Sequence, residues 1–262
     1  MTVPTIVGTE LGGNGQTLIL GPSLGTPTAL WGPTAALLTP SFRLLGWDLP
    51  GHGASPATAS PFTIEELADG VIALADAAGI DKFDYAGVSL GGQVGLALAI
   101  HHPDRLRHLA VLCSTAKIGS AAGWRERADV IRAQGTPALV DGSAKRWFAP
   151  GFIERHPDRA SSLLIALSDT DDESYALCCE ALGQADFRSE LSGISSPTLV
   201  CYGEHDQVIS ADDAEYVARR VRTGSTAVIP GAAHLPPIEQ PETVARELAG
   251  FLSSGMVKGR VS

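Results

Sequence analysis

The stretch Phe83-Asp84-Tyr85-Ala86-Gly87-Val88-Ser89-Leu90-Gly91-Gly92, continued by Gln93-Val94-Gly95-Leu96-Ala97-Leu98-Ala99-Ile100-His101, decides the fold. Phe83 to Val88 reads as a buried strand, and Leu90 to His101 as a small-residue helix packed into a core. Between them Gly87-Val88-Ser89-Leu90-Gly91 matches G-x-S-x-G, a pattern that belongs at a sharp strand-to-helix turn. Such a turn holds its serine in a strained backbone region, and side chains two residues to either side would clash. The turn lifts the Ser89 hydroxyl out of the sheet and aims it at the helix N-terminus.

Working outward, short apolar runs recur at Thr17 to Leu20, Phe42 to Trp47 and Leu109 to Cys113. Thr63 and Glu66 form a capping-box pattern before Ile64, Leu67, Val71, Leu74 and Ala78, an amphipathic helix that stops near Gly79. Strand, helix, strand, helix in this rhythm implies a mostly parallel sheet with helices on both faces. From Lys117 to Leu191 there are helix signals and no convincing strand. The rhythm then resumes with a strand at Pro197 to Tyr202 and a helix from Ser210, capped with Asp213, to Arg222. A last strand at Ala227 to Ile229 and a last helix at Pro241 to Leu252 follow. The expected organisation is a core over residues 1–116 and 192–262, with a helical cap, 117–191, inserted between two late strands. The tail Ser253 to Ser262 is expected to be loose. Ligands of such sheets bind outside the carboxyl ends of the strands, where a cap would cover them.

Composition narrows the function. Of 262 residues, 44% are hydrophobic, enough for a core without disulfides or metal. The net charge of −10 argues against nucleic acid, which needs a basic surface, and requires an anionic substrate to meet basic residues locally. Cys113, Cys178, Cys179 and Cys201 form no C-x-x-C pair and read as buried free thiols of a reducing cytoplasm. The opening MTVPTIVGTELGG lacks the basic and apolar regions of a signal peptide, and no apolar run approaches the length of a membrane span.

A serine hydroxyl needs a base to become a nucleophile, and on this architecture the order is serine, acid, histidine. Tyr202-Gly203-Glu204-His205-Asp206 closes one late strand and Gly231-Ala232-Ala233-His234 the last, which assigns Asp206 and His234 to Ser89. Glu204 and His205, earlier on the same turn, read as turn-shaping residues. His52 reads as a turn residue bonded to backbone, and His101 and His102 as a helix end; none has metal-ligand spacing, so no metal is expected. A developing oxyanion needs two backbone donors. One is the Leu90 amide. The other comes from Gly21-Pro22-Ser23-Leu24-Gly25, where Pro22 has no amide hydrogen; this leaves Ser23 or Leu24, with Ser23 favoured as the residue directly after the Gly-Pro pair. A phosphate site is excluded on that loop, which lacks the G-x-x-x-x-G-K-[ST] pattern and any nearby lysine. In the cap, Arg127 and Arg146 are candidates to hold a substrate carboxylate, with Trp124 and Trp147 as apolar walls; Trp124 and Arg127, three apart, share a helix face.

These residues resemble the α/β-hydrolase superfamily over nearly the whole chain. Within it, several stretches resemble the 3-oxoadipate enol-lactonases: Gly21 to Thr26, Gly87 to Gly92, Cys113-Ser114-Thr115-Ala116-Lys117-Ile118-Gly119-Ser120 with Trp124, and Arg146-Trp147-Phe148. Cys179 to Leu182 and Ala185 to Arg188 add to the likeness. The resemblance implies an α/β-hydrolase fold and hydrolysis of a small carboxylate-bearing enol-lactone in the β-ketoadipate pathway of aromatic degradation, with no cofactor. A broader carboxylesterase or a cofactor-free perhydrolase shares the fold, and a non-catalytic small-molecule receptor is the reading of another class; the intact serine opposes the receptor. A haloalkane dehalogenase is disfavoured because its nucleophile is a carboxylate.

Overall fold

The computed structural model describes residues 3–253; residues 254–262 of the tail expected to be loose lie outside the described residues. In chain order the elements are β1 (Val7–Gly12), β2 (Gln16–Gly21), α1 (Gly32–Leu38), β3 (Phe42–Asp48), α2 (Ile64–Ala77), β4 (Phe83–Val88), α3 (Leu90–His101) and β5 (Leu106–Leu112). There follow α4 (Ala121–Gln134), α5 (Val140–Trp147), α6 (Phe152–Arg155), α7 (Pro157–Ser168) and α8 (Asp172–Gln184), then β6 (Thr198–Gly203), α9 (Ala211–Ala218), β7 (Gly224–Ile229), α10 (Pro236–Glu239) and α11 (Pro241–Ser253). The strands form one sheet in the order β1-β3-β2-β4-β5-β6-β7, parallel throughout except for β1, which runs antiparallel to β3. This is the α/β-hydrolase fold expected from the sequence.

The central strand β4 is buried along its whole length, as its run without alternation requires. Helix α3 buries Leu90 to Ala99 without a break, since Gly91, Gly92 and Gly95 let it lie close to the sheet. Both capping boxes form: Thr63 with Glu66 opens α2, and Ser210 with Asp213 opens α9. Between β5 and β6 the described chain is helical, with α4 packed along α8.

Other boundaries moved for physical reasons. β5 begins at Leu106, three residues before the apolar run, because the polar Arg107 and His108 are drawn to the buried carboxylate of Asp84; His108 Nδ1 lies 2.9 Å from Asp84 Oδ1. β7 begins at Gly224 because an edge strand leaves Gly224, Ser225 and Thr226 exposed and carries no apolar signal there. β1 escapes the pattern for the same reason: it sits at the opposite edge and is only partly buried. Among the described residues no helix is long and apolar enough to cross a membrane.

Candidate active site

Ser89 sits at the junction of β4 and α3 with φ 53° and ψ −114°. For a residue with a Cβ this conformation costs on the order of 1–3 kcal/mol and persists only where the surroundings impose it. They do so here. The Ser89 amide donates to Leu112 O at 2.8 Å on the neighbouring strand, and its carbonyl accepts from the Gly92 and Gln93 amides. A Cβ on Gly87 would overlap the Gly91 carbonyl, and one on Gly91 would stand 2.5 Å from Pro22 O. Both glycines are therefore demanded by the close approach of α3 to the ends of β4 and β2.

The loops after β6 and β7 meet beside the serine. The His205 amide donates to Ala232 O at 2.8 Å and the Glu204 amide to Ile229 O at 3.1 Å, which binds one loop to the other. This contact brings the His234 ring to Asp206: Nδ1 lies 3.0 Å from Oδ2 and 3.1 Å from Oδ1. The Asp206 side chain is fully buried and that of His234 is 5% exposed. A carboxylate only accepts, so the proton sits on Nδ1 and leaves Nε2 with a free lone pair. Glu204 is turned outward and accepts from the Gly231 amide at 2.9 Å, a bond that shapes the turn.

A narrow cavity of about 50 Å³ is lined by Ser89 and His234, by Ser23 and Leu24 of the loop after β2, and by Ile118 and Val208. From α4 and α5, Trp124, Arg127, Arg146 and Trp147 complete its walls, so all four residues singled out in the sequence reach one space with the serine and histidine. Arg127 donates through Nη2 to the Tyr175 hydroxyl and lies over the Trp124 and Tyr175 rings at 5.7 and 5.5 Å. Its Nε is buried without a partner among the described residues. Arg146 is half-buried, and burial followed by the nearby Arg127 charge lowers its guanidinium pKa below the ordinary value. Neither arginine is ion-paired among the described residues.

In the loop after β2, Ser23, the favoured second donor, is engaged within its own turn. Its amide donates to Thr26 Oγ1 at 3.0 Å, while that hydroxyl donates back to Ser23 O at 2.9 Å. The turn thus closes on itself and uses the Ser23 donor. The Leu24 and Leu90 amides have no acceptor among the described residues. His52 braces this loop: its Nε2 accepts from the Gly25 amide at 3.1 Å, and its Nδ1–H donates to Pro50 O at 2.8 Å. Burial lowers its pKa to about 4, so the ring is neutral and its tautomer is set by these two bonds. Sequence reasoning placed His52 in a turn but had no signal for its reach to Gly25, across 27 residues.

Sequence reasoning also missed Tyr175, Glu239 and the position of Cys113. The Cys113 sulfur, an Asp206 oxygen and a His234 nitrogen lie within 4.8 Å of one another, the donor set a metal could use. Burial pushes the Cys113 thiol well up, and Asp206 adds to this, so without a metal the sulfur stays a protonated thiol.

A buried His–Asp pair beside a strained serine at a strand-to-helix elbow, with helices inserted between β5 and β6 lining its cavity, on a mostly parallel sheet, defines a serine hydrolase architecture. The chain belongs to the alpha/beta hydrolase family, which it matches over residues 18–247. It is 38% identical to 3-oxoadipate enol-lactonase 2 of Acinetobacter baylyi over 86% of this chain and 84% of the relative. It is 34% identical to 3-oxoadipate enol-lactonase 1 of the same organism over 92% and 90%. The crystal structure of the enol-lactonase from Burkholderia xenovorans LB400 superposes with a TM-score of 0.91 at 35% identity, covering 95% of this chain and 96% of that one.

Proposed function

We propose that the protein hydrolyses a small lactone that carries a carboxylate, with 3-oxoadipate enol-lactone as the substrate that its relatives support. One observation carries the anionic part of the reading: two arginines without acid partners share the cavity with Ser89 and His234. Leaving such charges half-buried and unpaired is unfavourable unless a ligand completes them. The four described cysteines are free and buried, which supports a reducing, cytoplasmic setting.

In this reading His234 Nε2 takes the Ser89 proton as Oγ attacks the lactone carbonyl, and Asp206 holds the ring and stabilises the imidazolium. The Leu90 and Leu24 amides receive the oxyanion, Leu24 taking the place first expected of Ser23. Collapse breaks the ring C–O bond, and the departing enolate takes the proton from His234. The released enol remains tethered through its acyl group and tautomerises to the ketone. Water then gives a proton to His234, attacks the acyl-enzyme, and frees the acid as Ser89 Oγ recovers its proton. The segment 117–191 acts as the cap that brings Arg127 and Arg146 to the substrate carboxylate.

Turnover of the enol-lactone beside a neutral lactone and a simple ester tests the reading. Ser89→Ala should abolish hydrolysis of all three, by several orders of magnitude in kcat. Arg127→Ala or Arg146→Ala should cost the anionic lactone about 2 kcal/mol in kcat/KM, roughly 30-fold, and spare the neutral ester. Equal losses on both substrates would sink carboxylate recognition and leave the hydrolase standing.

A further inference from the structure

Glu239 closes the four-residue helix α10, five positions after His234, and is 4% exposed. No cation pairs with it among the described residues; its partners are backbone amides from two parts of the molecule. Oε1 accepts from the Ala233 amide at 2.9 Å and the Leu235 amide at 3.3 Å, the residues on either side of His234. Oε2 accepts from the Ala149 amide at 2.6 Å, two residues beyond the end of α5. The amide of His234 itself donates to Trp147 O at 3.2 Å. The histidine loop and the α5 end that carries Arg146 and Trp147 are therefore joined by two hydrogen bonds, one of them through the Glu239 carboxylate, whose other oxygen ties down the residues on either side of His234.

We propose that Glu239 is a positioning residue of the reaction, locking the His234 loop to the Arg146–Trp147 segment of the cap and placing a negative charge beside the histidine. The inference rests on the assignment of His234 as the base. The chemistry follows from the donor count. A carboxylate offers lone pairs to all three amides at once, whereas a carboxamide turns one of its ends into a donor and faces an amide N–H with an N–H. The charge bears on the imidazolium that forms as Ser89 is deprotonated, adding to the action of Asp206. Among the described residues, the titratable groups that face Glu239 are His234 on its own loop and Cys113 beyond β5; Arg159 of α7 reaches the neighbouring Ile238 O at 3.4 Å. Burial raises the Glu239 carboxyl to about 7, against the lowering effect of the three amides and His234.

The test uses Glu239→Gln and Glu239→Asp in the full chain, each first shown by circular dichroism to be folded. Glu239→Gln should lower kcat about tenfold or more on both the anionic lactone and a neutral ester, the loss of one or more charge-assisted hydrogen bonds. It should raise KM for the anionic lactone alone, since only that substrate needs Arg146 in place. The acid limb of its kcat/KM profile should move to lower pH where it lies near or above pH 7, because there the wild-type carboxyl is charged and favours the imidazolium, and the carboxamide is not. Glu239→Asp keeps the charge and loses the reach: kcat and KM should suffer while the acid limb holds. A folded Glu239→Gln enzyme with wild-type kcat, KM and acid limb overturns the proposal. So does a loss of kcat matched by a loss of folded protein with the limb unmoved, which describes a merely structural residue. Retained turnover in His234→Ala would instead overturn the underlying site assignment.

Discussion

Asp206 and Glu204 stand two residues apart on the same turn, and their environments separate their roles. The Asp206 side chain is fully buried against His234 Nδ1, while the Glu204 side chain is 53% exposed and bonded to the Gly231 amide. Asp206→Asn should lower kcat by roughly 10⁴, because an asparagine lets the wrong ring tautomer form. Glu204→Gln keeps an acceptor for Gly231 and should leave kcat within a few-fold of wild type. Ester hydrolysis by the two purified variants ranks them, and the reverse order would exchange the acid. At this scale the sequence was informative where a residue follows a strand end, as Asp206 and His234 do. It was silent on Glu239 and on the Ser23 amide, whose partners depend on how a side chain or a turn is oriented in space.

In the proposed reaction the chemistry sits on the turn from β4 to α3, and the glycines of that turn respond to distance. A Cβ at Gly91 would meet Pro22 O at 2.5 Å and Gly21 C at 2.8 Å, both of them backbone. Gly91→Ala should therefore push α3 away from the loop that bears the Leu24 amide, destabilise the fold by about 1–3 kcal/mol and depress turnover. Gly250 supplies the contrast: it lies exposed inside α11, with nothing within 4 Å of its would-be Cβ. Gly250→Ala should stabilise by about 0.5–1 kcal/mol and leave turnover unchanged. Thermal melting with an ester assay on each variant checks both. The elbow and both capping boxes were legible because their determinants lie within a few residues of one another. The edge strands β1 and β7 were not, because half-exposed backbone pairing leaves little apolar pattern.

For the whole molecule, the buried carboxyl of Glu239 couples folding to pH. Its folded value of about 7 lies above its ordinary 4.5, so the folded state holds this proton more tightly than the unfolded chain. The stability it contributes is fully present below about pH 4.5 and is lost as pH rises through about 7. At about 1.4 kcal/mol per pH unit the interval corresponds to about 3 kcal/mol. Denaturant midpoints of the wild type and Glu239→Gln, measured from pH 5 to pH 8, should diverge in slope, the wild type losing stability with rising pH relative to the variant. Parallel curves would mean that the carboxyl ionises in the folded protein as it does in the unfolded chain. The same carboxylate that organises the site thus costs stability when charged, a trade consistent with a role in positioning.

Local order along the chain sufficed for the alternation of strands and helices, the helix starts, the serine at its elbow, and the placing of Asp206 and His234 after the late strands. Each of these is written in residues close together in sequence, through hydrophobic period, capping chemistry and glycine placement. Folding in space settled the rest. It brought Arg127 and Arg146 to one cavity with Ser89, committed the Ser23 amide to Thr26 and left that of Leu24 unpartnered among the described residues, set His52 against Gly25, and joined Ala149 to the His234 loop through Glu239. Those contacts link residues far apart in the chain or turn on the direction of a single N–H, and neither hydrophobic pattern nor spacing carries that information.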